Sequence, residues 1–173
     1  MLRALLVLVV AMHVAGANAQ TAEGAVALIT QGLEAGRATG SMCGDIQVPK
    51  VTGRSPARYR FDCGNGDWFE TVFRQIDGCK FETFVSLKGR EPDRRDVLDF
   101  SKFRGLLPAR EDATTTGHFF EASPDFCTSS NGKSCIFEFI SMASGKCCVF
   151  AGQVPRERVE AALSLILTKQ CRP

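Results

Sequence analysis

Histidine is nearly absent from this chain, with two residues in 173, His13 and His118. His13 falls in a segment read below as removed, which leaves His118 alone in the mature protein. One histidine excludes two-histidine acid/base relays and multi-histidine metal sites within a single molecule. None of the eight cysteines stands in a Cys-x-x-Cys pair, and His118 is far from any paired cysteines, which argues against a zinc site. No Gly-x-Ser-x-Gly turn exists to present a nucleophilic serine. Gly64 and Gly66 belong to a hairpin turn, so no glycine loop precedes a helix to cradle phosphate. Asn18, Asn65 and Asn131 all lack the hydroxyl two positions on that glycosylation requires. Neither sign of charge is in excess: 21 Lys+Arg stand against 19 Asp+Glu. A surface so balanced has no general affinity for nucleic acid or anionic membrane. Internal repeats, low-complexity tracts and a calcium-loop pattern are also missing.

One long apolar run is present. Arg3 supplies a positive start, residues 4–12 are continuously apolar, and Ala17-Asn18-Ala19 has the small-x-small form of a cleavage site. The run falls short of the roughly 20 residues that span a bilayer, and no second one follows. Residues 1–19 therefore read as a signal peptide. Residues 20–173 read as one exported domain, periplasmic or secreted, with no membrane span after cleavage. A domain of 154 residues is long enough to bury its own core.

Export gives the cysteines their meaning. Cys43, Cys63, Cys79, Cys127, Cys135, Cys147, Cys148 and Cys171 form an even set, which in an oxidising compartment favours four disulfides. Eight cysteines allow 105 pairings, so connectivity is not legible. A bridge between the neighbours Cys147 and Cys148 would strain the peptide joining them, and distant partners are expected for each. The sharper alternative is a vicinal redox or thiophilic-metal site at that pair. Bridges at Cys43 and Cys171 would pin the two ends of the fold.

Periodicity predicts a helix over residues 21–35, with Val26, Ile29 and Leu33 on its apolar stripe and Gly36 ending it. Residues 37–56 read as a connector tethered by Cys43. Strand patterns follow over 59–63, 68–76 and 79–87, the last two joined by an Asp77-Gly78 turn. Pairing Ile76 with Cys79 gives a core face of Trp68, Val72, Ile76, Phe81, Val85 and Leu87. The opposite face would carry Phe69, Phe73 and Phe84. Residues 88–96 read as a charged loop, 97–103 as a strand, 108–117 and 123–133 as loops, and 118–122 as a short strand. A second hairpin is expected from 135–142 and 147–151. Residues 155–171 form an amphipathic helix with Val159, Ala162, Leu163 and Ile166 on its buried stripe. Strands in succession without helical crossovers imply an antiparallel sheet. The expected class is α+β: a disulfide-braced domain with an N-terminal helix, about six strands and a C-terminal helix, both helices on one sheet face.

The candidate chemistry is thin. Lys50, Arg54, Arg58 and Arg60 make the only one-signed patch, and Arg58 and Arg60 could grip a carboxylate or phosphate. A solvated face paired with acids is the plainer reading. Asp62, Asp67 and Glu70, or Asp93, Asp96 and Asp99, could serve as paired carboxylates, although acids are common in turns. The expected function is a non-catalytic binding or interaction protein, with Arg54, Arg58, Arg60, Phe69, Phe73 and Phe84 as candidate ligand contacts. Its partner would be a protein, a peptide or a small molecule, with no cofactor and no metal. The alternatives are a small hydrolase using carboxylates or His118, and an inhibitor presenting the loop 108–117 or 123–134.

Overall fold

The structure is a computed structural model that describes residues 21–92, 94–107, 118–131, 135, 146–149 and 154–171. Two helices flank a run of strands: α1 (Ala22–Gln31), β1 (Thr39–Gly40), β2 (Ile46–Gln47), β3 (Lys50–Arg54), β4 (Ala57–Gly64), β5 (Asp67–Asp77), β6 (Lys80–Leu87), β7 (Asp96–Asp99), β8 (Phe103–Leu106), β9 (His118–Ala122), β10 (Cys127–Ser129), β11 (Lys146–Val149) and α2 (Arg156–Leu165). The main sheet has six strands in the order β10-β7-β6-β5-β4-β3, every pair antiparallel. A three-stranded sheet, β11-β9-β8, and the β1-β2 pair complete the α+β architecture.

α1 begins where Thr21 accepts a hydrogen bond from the Gly24 N–H at 3.1 Å, the usual way a hydroxyl caps a helix start. It ends at Gly32, four residues before the expected Gly36, because Gly32 takes φ 65° and its N–H returns to the carbonyls of Ala27 and Leu28. Ala25, Val26, Ala27, Leu28 and Ile29 are all buried. α1 therefore forms a middle layer, against β4 and β5 on one side and α2 on the other. The expectation that both helices share the sheet face holds for α1, whereas the principal contact of α2 is α1 itself. Val159, Ala162, Leu163 and Ile166 are buried as their spacing requires, and the last turn, Ile166–Gln170, is a π-helix.

The central hairpin differs from the expected register by one residue. Phe69 pairs with Leu87, Thr71 with Val85, Phe73 with Thr83 and Gln75 with Phe81; the register then shifts so that Asp77 meets Lys80. The two-residue turn is consequently Gly78-Cys79, and Ile76 lies at a bulge, 51% exposed. A one-residue slip exchanges the faces of a strand. The face of β5 under the helix is thus Phe69, Thr71 and Phe73, with Phe81 and Thr83 from β6; of the expected set Trp68 is half-buried and Ile76 exposed, whereas Val72 is buried, but on the other face opposite Phe84. The tip is held by the Cys79–Cys171 bridge and by the Gln75 side chain, which donates to the Gly78 carbonyl at 2.6 Å and to Gln170 at 2.9 Å.

Three further expectations change. The connector 37–56 contains β1, β2 and β3. Loop 123–133 contains β10, an edge strand on β7 anchored by buried Phe126. The expected strand over 97–103 is interrupted by a 3-10 turn, Phe100–Lys102, where the Asp99 carboxylate accepts from the Ser101 N–H at 3.0 Å. Of the second expected hairpin, β11 pairs with β9, and its other arm lies outside the described residues.

Three disulfides are described: Cys43–Cys63, Cys79–Cys171 and Cys127–Cys135. Cys171 pins the C-terminal helix as expected. Cys43 tethers the connector, as expected, and its anchor is Cys63 near the end of β4. Bridges of this kind fit an extracellular or periplasmic protein, and no helix among the described residues is long and apolar enough to cross a membrane.

Tyr59, the only tyrosine, sits in this core edge-on to Phe73, with ring centroids 6.3 Å apart. Burial, with a smaller push from the negative charge of Glu34, raises its phenol to about 12. A phenol raised on folding holds its contribution to stability up to its unfolded value near pH 10 and loses it as pH climbs toward 12. Ultraviolet absorbance should therefore show one phenolate step near pH 12 in the folded protein. A midpoint near 10 would mean that the ring is solvated.

Candidate functional site

The sheet face turned away from α1 carries Arg58 and Arg60 on β4, and there the acids claim both. Arg58 meets Glu70 at 2.8 Å and Arg60 meets Asp62 at 2.9 Å, with Lys50 on the other side of Asp62 at 2.6 Å. Hydrogen bonds from Lys50 and Arg60, larger in effect than their charge, hold the exposed Asp62 carboxyl below its ordinary range. That direction is opposite to the one a general acid needs. Farther along the face, Glu82 receives Arg74 at 2.6 Å and Arg95 at 3.2 Å, and the Arg95 guanidinium lies 4.6 Å above the Phe84 ring. Cross-strand pairing of opposite charges thus tiles this face, the ordinary stabilisation of a solvated sheet. Arg54 ends β3, and its carbonyl accepts from the Thr21 hydroxyl at 3.1 Å.

The three candidate phenylalanines do not share a face. Phe69 and Phe73 are buried beneath the helices, whereas Phe84 stands opposite Val72 on the outer face. The candidate acids are also engaged: Asp67 with Lys88, Asp96 with Arg94 at 2.8 Å, and Asp99 in its cap. Asp93, the 108–117 loop and the His118 side chain lie outside the described residues. Among the described residues no group of three or more His, Cys, Asp or Glu could hold a metal ion.

A concave site forms elsewhere, at the end of the sheet where two turns meet. Gly64, Asn65 and Gly66 all take positive φ and return β4 into β5. After β6, Lys88 and Gly89 are also left-handed, at φ 48° and 73°. A lysine rarely adopts this conformation. Here the Lys88 N–H is tied to the Trp68 carbonyl at 3.0 Å, and the Arg90 N–H to the Leu87 carbonyl at 2.9 Å. The Ser86 hydroxyl closes the turn on the Arg90 carbonyl at 2.9 Å.

Between the turns lies a groove of about 350 Å³ lined by Cys63, Asp67, Trp68, Phe69, Leu87, Lys88 and Arg90. Ligand pockets run from roughly 300 to 1,000 Å³, so this one suits a side chain or two. Its walls are apolar: the half-buried indole of Trp68, with the Arg60 guanidinium 4.3 Å from its centroid, and Leu87, which is 56% exposed. At the mouth Lys88 is paired with Asp67, whereas the Arg90 guanidinium enters no ion pair among the described residues.

Cys63 links this groove to a second apolar surface. Its partner Cys43 lies in a connector whose Met42 is 68% and Ile46 78% exposed, with Val48 and Val51 exposed beyond them. The segment is nonetheless held in place. Asp45 accepts from Ser41 at 2.8 Å and from the Gln47 amide at 2.9 Å, contacts that lower its carboxyl, and the same amide reaches the Asp62 carbonyl at 3.0 Å. A cluster of large apolar residues fixed in solvent marks an interaction surface more often than chance exposure does. Sequence reasoning named Phe69, which lines the groove, but assigned Trp68 and Leu87 to the core and 37–56 to a linker. The available signal was four large apolar residues within ten positions of a segment rich in turn residues. Compared with protein-family models, curated proteins and solved structures, the chain shows no match.

Proposed function

We propose that the protein is an exported, disulfide-braced binding module whose ligand is a peptide presenting an apolar residue beside a carboxylate. The observation that carries this reading is the Trp68–Leu87 groove with Arg90 at its mouth. The indole and the leucine offer an apolar slot, and the guanidinium offers a fork matched to a carboxylate. Met42, Ile46 and Val48 extend the contact surface on the far side of the Cys43–Cys63 bridge. The two turns and the bridge hold the slot in one geometry, which lowers the ordering cost of binding.

Selection from a displayed random-peptide library against the mature, oxidised protein tests the proposal. Recovered peptides should share an apolar residue adjacent to Asp, Glu or a free C-terminus. They should bind Trp68→Ala at least tenfold more weakly, a loss of about 1.4 kcal/mol. Failure to enrich any sequence, or equal binding to Trp68→Ala, would remove the groove from consideration.

A further inference from the structure

The three described bridges differ in what surrounds them; the side chains of Cys147 and Cys148 lie outside the described residues. Cys79 and Cys171 are half-buried against the core, and so is Cys127, whose partner Cys135 is only 5% exposed. Cys43 is half-buried as well. Of the six bridged cysteines Cys63 alone is exposed, and it lines the groove beside Trp68 and Leu87. Thiol–disulfide exchange needs a thiolate to reach a disulfide sulfur, so access decides which bridge opens first.

The segment that Cys43 anchors is built to move as a unit. Residues 39–47 form a small hairpin in which Thr39 pairs with Gln47 and Gly40 with Ile46. Its turn is closed by its own bonds: the Ser41 N–H donates to the Asp45 carbonyl at 2.8 Å, and the Gly44 N–H to the Ser41 carbonyl at 3.1 Å. Met42 and Ile46 are exposed, so they bury little apolar area that would hold the hairpin to the sheet. It is fastened to β4 by the Cys43–Cys63 bridge and by the Gln47 amide, which donates to the Asp62 carbonyl at 3.0 Å. One neutral hydrogen bond at the surface does not hold a hairpin in place against the entropy it loses there. The bridge is therefore the fastening that matters.

We propose that Cys43–Cys63 is a redox latch on the groove, opened by an external dithiol while the other two described bridges stay closed. One thiol of the dithiol loses its proton to solvent, and the thiolate attacks the Cys63 sulfur. The bond to Cys43 breaks, and the Cys43 sulfur leaves as a thiolate that takes up a proton. The second thiol, deprotonated in turn, attacks the dithiol sulfur now bound to Cys63, and Cys63 leaves in the same way. The protein gains two electrons and two protons, and the dithiol loses them as it closes to a disulfide. The freed hairpin carries Met42 and Ile46 away from the far side of the groove, and Cys63 no longer fixes its wall. Opening thus weakens peptide binding, a consequence that rests on the function proposed above, whereas the order of opening and the release of the hairpin do not.

Dithiothreitol is the probe, titrated into the mature, oxidised protein under native conditions, with alkylation and peptide mapping at each step. Cys43 and Cys63 should be alkylated at a concentration at least tenfold below that needed for Cys79, Cys171, Cys127 and Cys135. After desalting, thermolysin should cut that form within residues 39–47 at least tenfold faster than the oxidised protein. A library-selected peptide should bind it at least tenfold more weakly, and reoxidation of reduced, unalkylated protein should restore binding. A Cys43→Ser/Cys63→Ser variant, shown to fold by circular dichroism, should match the opened form without carrying an adduct. Another bridge opening first or together with this one would overturn the proposal. So would an unchanged cleavage rate in residues 39–47, or equal peptide binding by the closed and opened forms. Failure of the oxidised parent to bind any selected peptide would count against the binding function alone, because bridge order and cleavage decide the latch without a ligand.

Discussion

Phe73→Ala should destabilise the protein by about 3–5 kcal/mol, the range for deleting a buried phenylalanine. Phe73 is 0% exposed, lies under α1 and meets Tyr59 edge-on. Truncation removes the apolar area of the ring and leaves a cavity between two elements, sheet and helix, that cannot close independently. Ile76→Ala supplies the contrast. It stands at the bulge, and its loss should change stability by no more than about 0.5 kcal/mol. Guanidinium unfolding of the two variants therefore reads the register of β5 directly. If Ile76→Ala proved the costlier, the strand would present its other face to the core.

Unfolding should be almost as sensitive to the bridge at the hairpin tip. Cys79 and Cys171 are 92 positions apart, against 8 for Cys127 and Cys135. On the loop-entropy relation the long closure contributes about 4.6 kcal/mol and the short one about 2.5 kcal/mol. A Cys79→Ala/Cys171→Ala double variant should lose more stability than Cys127→Ala/Cys135→Ala. The first should also expose the last turn of the chain, because Gln75 would then hold Gln170 with one side-chain hydrogen bond. Limited proteolysis from the C-terminus, beside denaturant melts, measures both effects. An equal loss from the two double variants would place the stabilisation in local strain or contacts and not in chain closure.

The helices were legible because their apolar residues recur at 3.6-residue spacing, and Val159, Ala162, Leu163 and Ile166 fall where that period puts them. The face of β5 was not. Both alternating sets, Trp68-Val72-Ile76 and Phe69-Thr71-Phe73, contain large apolar residues, so period-two reasoning finds two candidate cores in one strand. Packing against α1 and the anchor at Cys79 decide between them, and both are tertiary. The end of α1 was misplaced for a different reason. Gly32 and Gly36 are both positive-φ glycines, at 65° and 74°, and only the backbone bonds show which one closes the helix. The arginine patch looked one-signed along β4, yet its neutralising acids include Glu70 on the next strand. The groove was hidden by the same limit, since Trp68 and Leu87 come from different strands and their exposure depends on where the strands end.

Binding at the groove is the central claim, and Trp68 reports on it as the only tryptophan in the chain. The most direct measurement is a fluorescence titration of the mature, oxidised protein with a library-selected peptide, alongside Leu87→Asp. Leu87 is more than half exposed, so the variant should unfold within about 0.5 kcal/mol of the parent. The account predicts a saturable change in Trp68 emission for the parent and binding at least tenfold weaker for Leu87→Asp. A flat titration of the parent, or an equal isotherm from a folded Leu87→Asp, would contradict it.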